Sequence, residues 1–183
     1  MSIPSEYASS HRVVGFAPIL GRRPRVLILG SMPSVQSLDR SEYYAHPRNA
    51  FWPILDALGL VDGNAPYARR VEDLKRSGVA LWDSLKACER SGSLDASIVE
   101  ESEVVNDFGA LLTQHPSIRL IAFNGAKAER AFHRHVLSKL ASESLDRLTL
   151  VRLPSTSPAH VIPFEQKLAA WRAIVTEFGD LQY

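Results

Sequence analysis

Residues 25–52 read RVLILGSMPSVQSLDRSEYYAHPRNAFW, and this stretch gives the clearest indication of the fold. It opens on four consecutive apolar residues, Val26 to Leu29, which are followed by Gly30 and a turn rich in Ser and Pro. An apolar run of this length between Gly and Pro is typical of a central parallel strand that is buried on both faces. Because ligands bind at the carboxyl ends of such strands in open α/β sheets, the loop after Gly30 is the first candidate site.

Three further short apolar runs predict strands at 79–82, 120–123 and 148–153. Apolar residues at helical spacing between these runs predict helices, placed at 49–58, after Pro66, at 104–112, at 128–140 and at 164–178. Strands that alternate with helices imply a parallel sheet covered by helices on both faces. The sequence therefore predicts the α/β class, with a long polar loop over 85–98.

Size and composition favour one intracellular domain. With 183 residues, 45% of them hydrophobic, the chain can bury one full core, so we expect an N-terminal arm at 1–24 and a single domain at 25–183. A net charge of +1 argues against coating nucleic acid through bulk charge. No membrane span or export signal is expected, and one cysteine, Cys88, excludes an internal disulfide. These features favour the cytoplasm.

All four predicted strands end on a small or polar residue: Ser31, Asp83, Asn124 and Ser155. In a parallel sheet these ends lie along one edge, so the four loops can meet in one pocket. The loop GSMPS lacks the sequence of a P-loop or of a dinucleotide-binding turn. Ser31 with His160 and Asp83 leaves a serine hydrolase open, although GxSxG is absent. The histidines form no ligand pattern, so no metal is expected.

Several motifs, in this order between residues 25 and 171, resemble the uracil-DNA glycosylase superfamily: GSMPS, YYAHPRNAFW, GVALWD and LPSTSP. The AHPxNxFW stretch is similar to the mismatch-specific enzymes. The forms GSMPS, ALWDSLxxCxRxGSLD and LPSTSPA look most like the hypoxanthine (deoxyinosine) DNA glycosylase branch. The resemblance implies a three-layer α/β/α sandwich with a central four-stranded parallel sheet. It also implies a pocket for a base flipped out of DNA.

The resemblance implies roles for several residues. Tyr44 falls where the family places an aromatic that stacks on the base, and Asp83 where relatives read the base edge. Met32, His46 and Asn124 are the other expected base contacts. Core packing for Tyr44 and loop bridging for Asp83 are the simpler alternatives.

Two positions depart from the family where its chemistry resides. Met32 stands where relatives carry Asp or Asn to position water, and Leu153 where the uracil-specific branch has a catalytic His. We expect Asn49 to replace them, because its carbonyl can accept a hydrogen bond from water and direct it. Ser31 would give a second hydrogen bond. The alternative for Asn49 is a helix N-cap.

The remaining expected contacts are with DNA. Hydroxyl and backbone donors of Ser155, Thr156 and Ser157 would bind phosphates, with Arg48 beside them. By the resemblance, Pro158, Ala159 and His160 would enter the gap that the flipped base leaves. No cofactor is implied, since water is the only co-substrate.

The sequence thus predicts a monofunctional DNA glycosylase of base-excision repair, with hypoxanthine as the first candidate base. Uracil or thymine in mismatches is the second candidate, and a non-catalytic module that binds damaged DNA is the alternative from another class. The expected partner is double-stranded DNA with a deaminated base, bound by a monomer in the cytoplasm, associated with the nucleoid.

Overall fold

The computed structural model describes residues 11–176. The strands in this part of the chain are β1 (His11–Val14), β2 (Val26–Gly30), β3 (Val79–Asp83), β4 (Leu85–Arg90), β5 (Ile98–Val105), β6 (Leu120–Asn124) and β7 (Thr149–Leu153). The helices are α1 (Val35–Arg40), α2 (Phe51–Ala57), α3 (Tyr67–Arg76), α4 (Phe108–Gln114), α5 (Ala126–His135), α6 (Ser142–Asp146), α7 (Phe164–Trp171) and α8 (Ala173–Thr176). Short 3₁₀ turns occupy Asp95–Ser97 and Leu137–Lys139.

The central sheet has four parallel strands in the order β3-β2-β6-β7. Val26 pairs with Val79 on one side and with Leu120 on the other, and every residue of β2 is buried. The four strands predicted from apolar runs are confirmed. Along the chain, β3 is added to one side of β2, and β6 is later added to its other side. The strand order therefore switches between β2 and β6.

Helices cover both faces of this sheet. Val26 and Ile28 belong to a core cluster with apolar residues of α2, α3, α7 and α8. Leu27 and Leu29 point the other way, into a cluster with residues of α4 and α5. This alternation follows from the period of two along a strand. The predicted three-layer α/β/α architecture is confirmed.

The expected long loop over 85–98 is wrong. Strands β1, β4 and β5 form a second sheet, antiparallel, in the order β1-β4-β5. Its sequence is polar because an antiparallel sheet can face water on one side, and most of β5 is partly or fully exposed. Arg90 in β4 is buried, although its type indicated a solvated position. Gly92, with φ of 67°, lies in the turn between β4 and β5.

Some helix boundaries also differ from the prediction. Val104 lies in β5, and α4 begins only at Phe108, where the Asp107 side chain accepts a hydrogen bond from the Ala110 N–H. The helix expected over 128–140 ends at His135. Helices α1 and α6 were not predicted. The helix expected over 164–178 is divided into α7 and α8, and its last residues lie outside the described part.

The described portion of the expected N-terminal arm, residues 11–24, runs along the domain. Strand β1 pairs with β4, and Ile19 pairs with Leu81 of the central sheet. The Phe16 carbonyl accepts a hydrogen bond from the Trp82 indole N–H at 2.9 Å. This strand was not predicted, because the three prolines nearby suggested irregular chain. The boundary at residue 24 stays a prediction.

Candidate active site

A cavity of about 350 Å³ opens at the carboxyl ends of the parallel strands. It lies at the switch between β2 and β6, beside Gly30 and Asn124. This is the usual ligand position in an open α/β sheet, and the volume lies in the range of small-molecule sites. Ten of the predicted site residues line it: Ser31, Met32, Tyr44, Asn49, Asp83, Asn124, Ser155, Thr156, Ser157 and His160.

Asn124, the last residue of β6, joins the first and last loops of the cavity. Its Nδ2 donates to Tyr44 Oη at 3.0 Å and to Thr156 Oγ1 at 2.9 Å. Its Oδ1 accepts from the Thr156 N–H at 2.8 Å. Both amide hydrogens are therefore used inside the protein. Asn124 can offer a bound base only the second lone pair of Oδ1.

Tyr44 forms an aromatic wall of the cavity. Its backbone is left-handed, with φ of 55°, a conformation that non-glycine residues rarely adopt. Its ring stacks on Phe51, with centroids 3.9 Å apart and planes 19° from parallel. Burial, reinforced by Asp83, raises the pKa of the Tyr44 hydroxyl, so the phenol is neutral. Because Phe51 covers one face of the ring, a planar ligand can stack only on the other face.

Asp83 ends β3 and lies buried next to Gly30. A Cβ on Gly30 would come within 2.4 Å of Asp83 Oδ1, so a glycine is needed beside this carboxyl. Burial, and after it the charge of Asp95, raises the pKa of Asp83 to about 8, whereas Arg90 opposes the shift. Within residues 11–176, Asp83 Oδ2 is buried without a hydrogen-bond partner. At neutral pH this group is a carboxylic acid that can donate one hydrogen bond and accept another.

Asn49 lies on the cavity wall just before α2. Its Oδ1 accepts a hydrogen bond from the Phe51 N–H at 3.0 Å, and its own N–H donates to the His46 carbonyl at 2.8 Å. The first bond caps the Phe51 N–H from the position before Ala50, which is the N-cap residue of α2, so the N-cap alternative raised by the sequence is off by one residue. An amide oxygen has two lone pairs, so the cap leaves one able to accept from water in the cavity. The capping and water-directing roles are therefore compatible.

Ser31 donates its hydroxyl hydrogen to Asp95 Oδ1 at 2.5 Å. Asp95 lies in the 3₁₀ turn between β4 and β5, and it also lines the cavity. No role was predicted for Asp95, because its segment was expected to be a loop; its place in the RxGSLD motif was the one signal that could have identified it. A serine hydrolase would need a base such as His160 to accept from Ser31. The carboxylate partner observed does not support that alternative.

The two positions that depart from the family are apolar in the structure as well. Met32 is buried, lines the cavity and packs in a cluster with Leu85 and Cys88. Leu153 is buried in the core beneath the sheet edge. Neither side chain can hold water through a strong hydrogen bond. Water must therefore be positioned by other groups on the cavity wall.

Three predicted contact residues, His46, Arg48 and Pro158, do not line the cavity. His46 Nδ1 accepts from the Arg48 N–H at 3.1 Å within its own loop, and its contact with the base stays a prediction. Thr156 is fully buried with its N–H and hydroxyl bonded to Asn124. It cannot reach a DNA phosphate, and its role is to join two loops.

The loop after β7 is supported by α7 and exposed at its tip. The Trp171 indole N–H donates to the Pro154 carbonyl at 2.9 Å, and Lys167 Nζ donates to the Ser157 carbonyl at 3.2 Å. Burial lowers the pKa of the Lys167 ammonium. Val161, at the tip of the loop, is 89% exposed. This apolar tip was not predicted, since the expected contacts ended at His160.

Residues 11–176 lack two further features. No three His, Cys, Asp or Glu side chains lie close enough together there to hold a metal ion. In the same part of the chain, no helix is long and apolar enough to cross a membrane.

Fold and site together define a class. The protein has an open α/β sheet whose switch point carries an aromatic wall, a neutral carboxylic acid and an amide. Such a cavity suits one planar ligand that both donates and accepts hydrogen bonds, as a nucleobase does.

Comparisons with known proteins identify the family. Residues 18–178 match the family described as the uracil DNA glycosylase superfamily. Proteins named hypoxanthine DNA glycosylase from Methanosarcina acetivorans and Methanosarcina barkeri are 40% and 38% identical over 115 residues, 62% of this chain and 72% of each relative. The solution NMR structure of a candidate uracil DNA glycosylase from Methanosarcina acetivorans superposes with a TM-score of 0.73 at 32% identity, covering 90% of this chain and 96% of the other. The chain belongs to the uracil DNA glycosylase superfamily.

The raised pKa of Asp83 makes stability depend on pH. The folded chain holds this proton up to about pH 8, whereas an unfolded Asp releases it near pH 4. The folded state thus binds more protons between these values, and stability falls as pH rises. Between pH 5 and 7 the unfolding free energy should fall more steeply with pH in the wild type than in Asp83→Asn. The difference between the two slopes should be about 1.4 kcal/mol per pH unit.

Urea unfolding at pH 5, 6 and 7 measures the two slopes. Asp146→Asn, at an exposed carboxyl, is the matched control and should keep the wild-type slope. Equal slopes in the wild type and Asp83→Asn would show that the buried carboxyl is not protonated in the folded chain.

Proposed function

We propose that this protein is a monofunctional DNA glycosylase that removes hypoxanthine from DNA in base-excision repair. The observation that carries the proposal is the convergence of Tyr44, Asp83 and Asn49 on one cavity at the sheet's switch point. An aromatic face, a hydrogen-bonding acid and a water-directing amide are the three groups that hydrolysis of a flipped nucleotide needs. The names of the two Methanosarcina relatives support hypoxanthine as the base.

Base recognition follows from the protonation of Asp83. Hypoxanthine presents a ring N–H donor beside a carbonyl acceptor. The neutral Asp83 carboxyl offers the complementary pair, an acceptor and a donor, while Tyr44 stacks on the ring. Selection against normal bases comes largely from the cost of flipping, since hypoxanthine pairs less well than the adenine from which it arises.

Hydrolysis passes through an oxocarbenium-like transition state, in which departure of the base creates an electrophile at the sugar. The free lone pair of Asn49 Oδ1 accepts a hydrogen bond from water and directs it at that carbon. Ser31, which also lines the cavity, supplies the second hydrogen bond.

DNA contacts surround the mouth of the cavity. Ser155 and Ser157 lie on its wall and are proposed to bind phosphates. Arg48, which is exposed and directly precedes Asn49, is proposed to bind a phosphate as well. The exposed Val161, on the loop that α7 supports, is suited to fill the gap left by the extruded base. His160 and Ala159 on the cavity wall would follow it into the groove.

Uracil is the second candidate base, because it presents the same donor and acceptor order along its edge. Location is part of the proposal too: a glycosylase acts where the DNA is, so we keep the nucleoid-associated, cytoplasmic monomer expected from the sequence. A non-catalytic module would bind the same DNA without releasing a base.

A panel of labelled duplexes tests this function. Duplexes that carry hypoxanthine, uracil, xanthine or mismatched thymine are incubated with the protein and then treated with alkali. We expect alkali-labile strands from the hypoxanthine duplex first, with the strand intact before alkali. No labile strand from any duplex, together with tight binding, would establish the non-catalytic module instead.

Asn49 can be tested in both of its roles. Asn49→Ser keeps a capping side chain but is too short to direct water, whereas Asn49→Ala loses both functions. We expect both variants to release hypoxanthine about 100-fold more slowly, while only Asn49→Ala is destabilised, by about 1 kcal/mol. Single-turnover rates and urea unfolding measure these effects. Normal activity in Asn49→Ser would mean that Asn49 is only a cap.

A further inference from the structure

The RxGSLD segment, residues 90–95, is bonded along its length to the GSMPS loop. Arg90 Nη2 donates to the Pro33 carbonyl. Ser93 Oγ accepts from the Val35 N–H at 3.0 Å, and Asp95 accepts from Ser31. Three side chains of the RxGSLD segment therefore hold the GSMPS loop and the residue that follows it, Val35. The second sheet thus fixes the first loop of the cavity rather than forming a separate unit.

Of these three side chains, Ser93 and Asp95 also line the cavity, and Asp95 is the one that carries a carboxyl group there. Of the described residues that line the cavity, only Asp83 and Asp95 carry carboxyl groups. Asp83 is buried and neutral, whereas Asp95 is exposed. A carboxylate at a DNA-binding mouth repels phosphates, which weakens binding. Its hydrogen bond with Ser31, in the cavity that Asn49 also lines, is explained if its charge serves the reaction instead.

We propose that Asp95 is a positioning residue that acts through Ser31 and finally accepts the proton of the attacking water; this inference rests on the proposed function. The hydrogen bond to Asp95 uses the Ser31 hydroxyl hydrogen, which leaves the oxygen lone pairs to accept from the water that Asn49 directs in the same cavity. The structure thereby supplies, from another segment, the acid that Met32 has replaced in the first motif.

The bond from the sugar C1′ to the base nitrogen breaks, and its electron pair leaves with the base. The water oxygen bonds to C1′ while its proton passes to Ser31 Oγ and the Ser31 proton passes to the Asp95 carboxylate. The departed base takes a proton from solvent, and Asp95 returns its own to solvent.

Single-turnover release of hypoxanthine from a duplex tests the relay. The assay is run at pH 6, below the pKa of Asp83, which is raised first by burial and only second by the charge of Asp95. Asparagine can still accept the Ser31 hydrogen bond but not a proton. We expect Asp95→Asn to be about 100-fold slower and Asp95→Glu to lose about tenfold or less. Binding of a duplex with an uncleavable deoxyinosine analogue should be no weaker in Asp95→Asn.

Two comparisons complete the test. Glu101→Gln, at an exposed carboxylate of β5, makes the same charge change away from the cavity and should retain the wild-type rate. The rate of the double variant Ser31→Ala/Asp95→Asn should lie within about threefold of the rate of each single variant. The two effects do not add because the two residues act in series.

Failure of the Asp95 relay and failure of the glycosylase function give different results. An Asp95→Asn rate within about threefold of wild type, or single effects that multiply in the double variant, would contradict the relay and leave the glycosylase intact. Absence of base release by the wild type would contradict the proposed function, and the relay with it.

Discussion

The amide of Asn124 is the constraint on which the site depends. Its three hydrogen bonds to Tyr44 and Thr156 tie the end of β6 to the loop after β2 and to the loop after β7. The Thr156 carbonyl in turn accepts from the Ala50 N–H, which sets the start of α2 beside Asn49. These groups are largely buried, and an unpaired buried donor costs about 1–3 kcal/mol, so the network holds only as a whole. The left-handed backbone of Tyr44 is maintained by it.

A second set of bonds gives the cavity its chemical asymmetry. The small antiparallel sheet holds the GSMPS loop from one side and places an exposed carboxyl there, while the central sheet places a buried one below. Burial raises the pKa of Asp83, so this acid can read a base edge. Asp95 is exposed and is the proposed proton acceptor of the relay. Separation of the two tasks follows from fold position rather than residue type.

Much of this was accessible from the sequence, for identifiable reasons. The strands are short apolar runs buried on both faces, so β2, β3, β6 and β7 were predicted to within a residue, and their ends converge as parallel pairing requires. The antiparallel sheet was missed because its strands are half polar and one inward side chain is Arg90, whose charge suggested solvent. The burial of Thr156 and the contact of Ser31 with Asp95 depend on pairings far apart in sequence, which no local pattern shows.

The central claim is that the cavity between β2 and β6 receives a flipped base. The structure of the wild-type protein bound to a duplex with an uncleavable deoxyinosine analogue tests it most directly. We expect the hypoxanthine ring to lie against the face of Tyr44 that Phe51 does not cover. Its edge should lie within hydrogen-bonding distance of the Asp83 carboxyl, with an ordered water between Asn49 and the sugar. A base that stays stacked in the duplex, or that enters the protein elsewhere, would contradict the account.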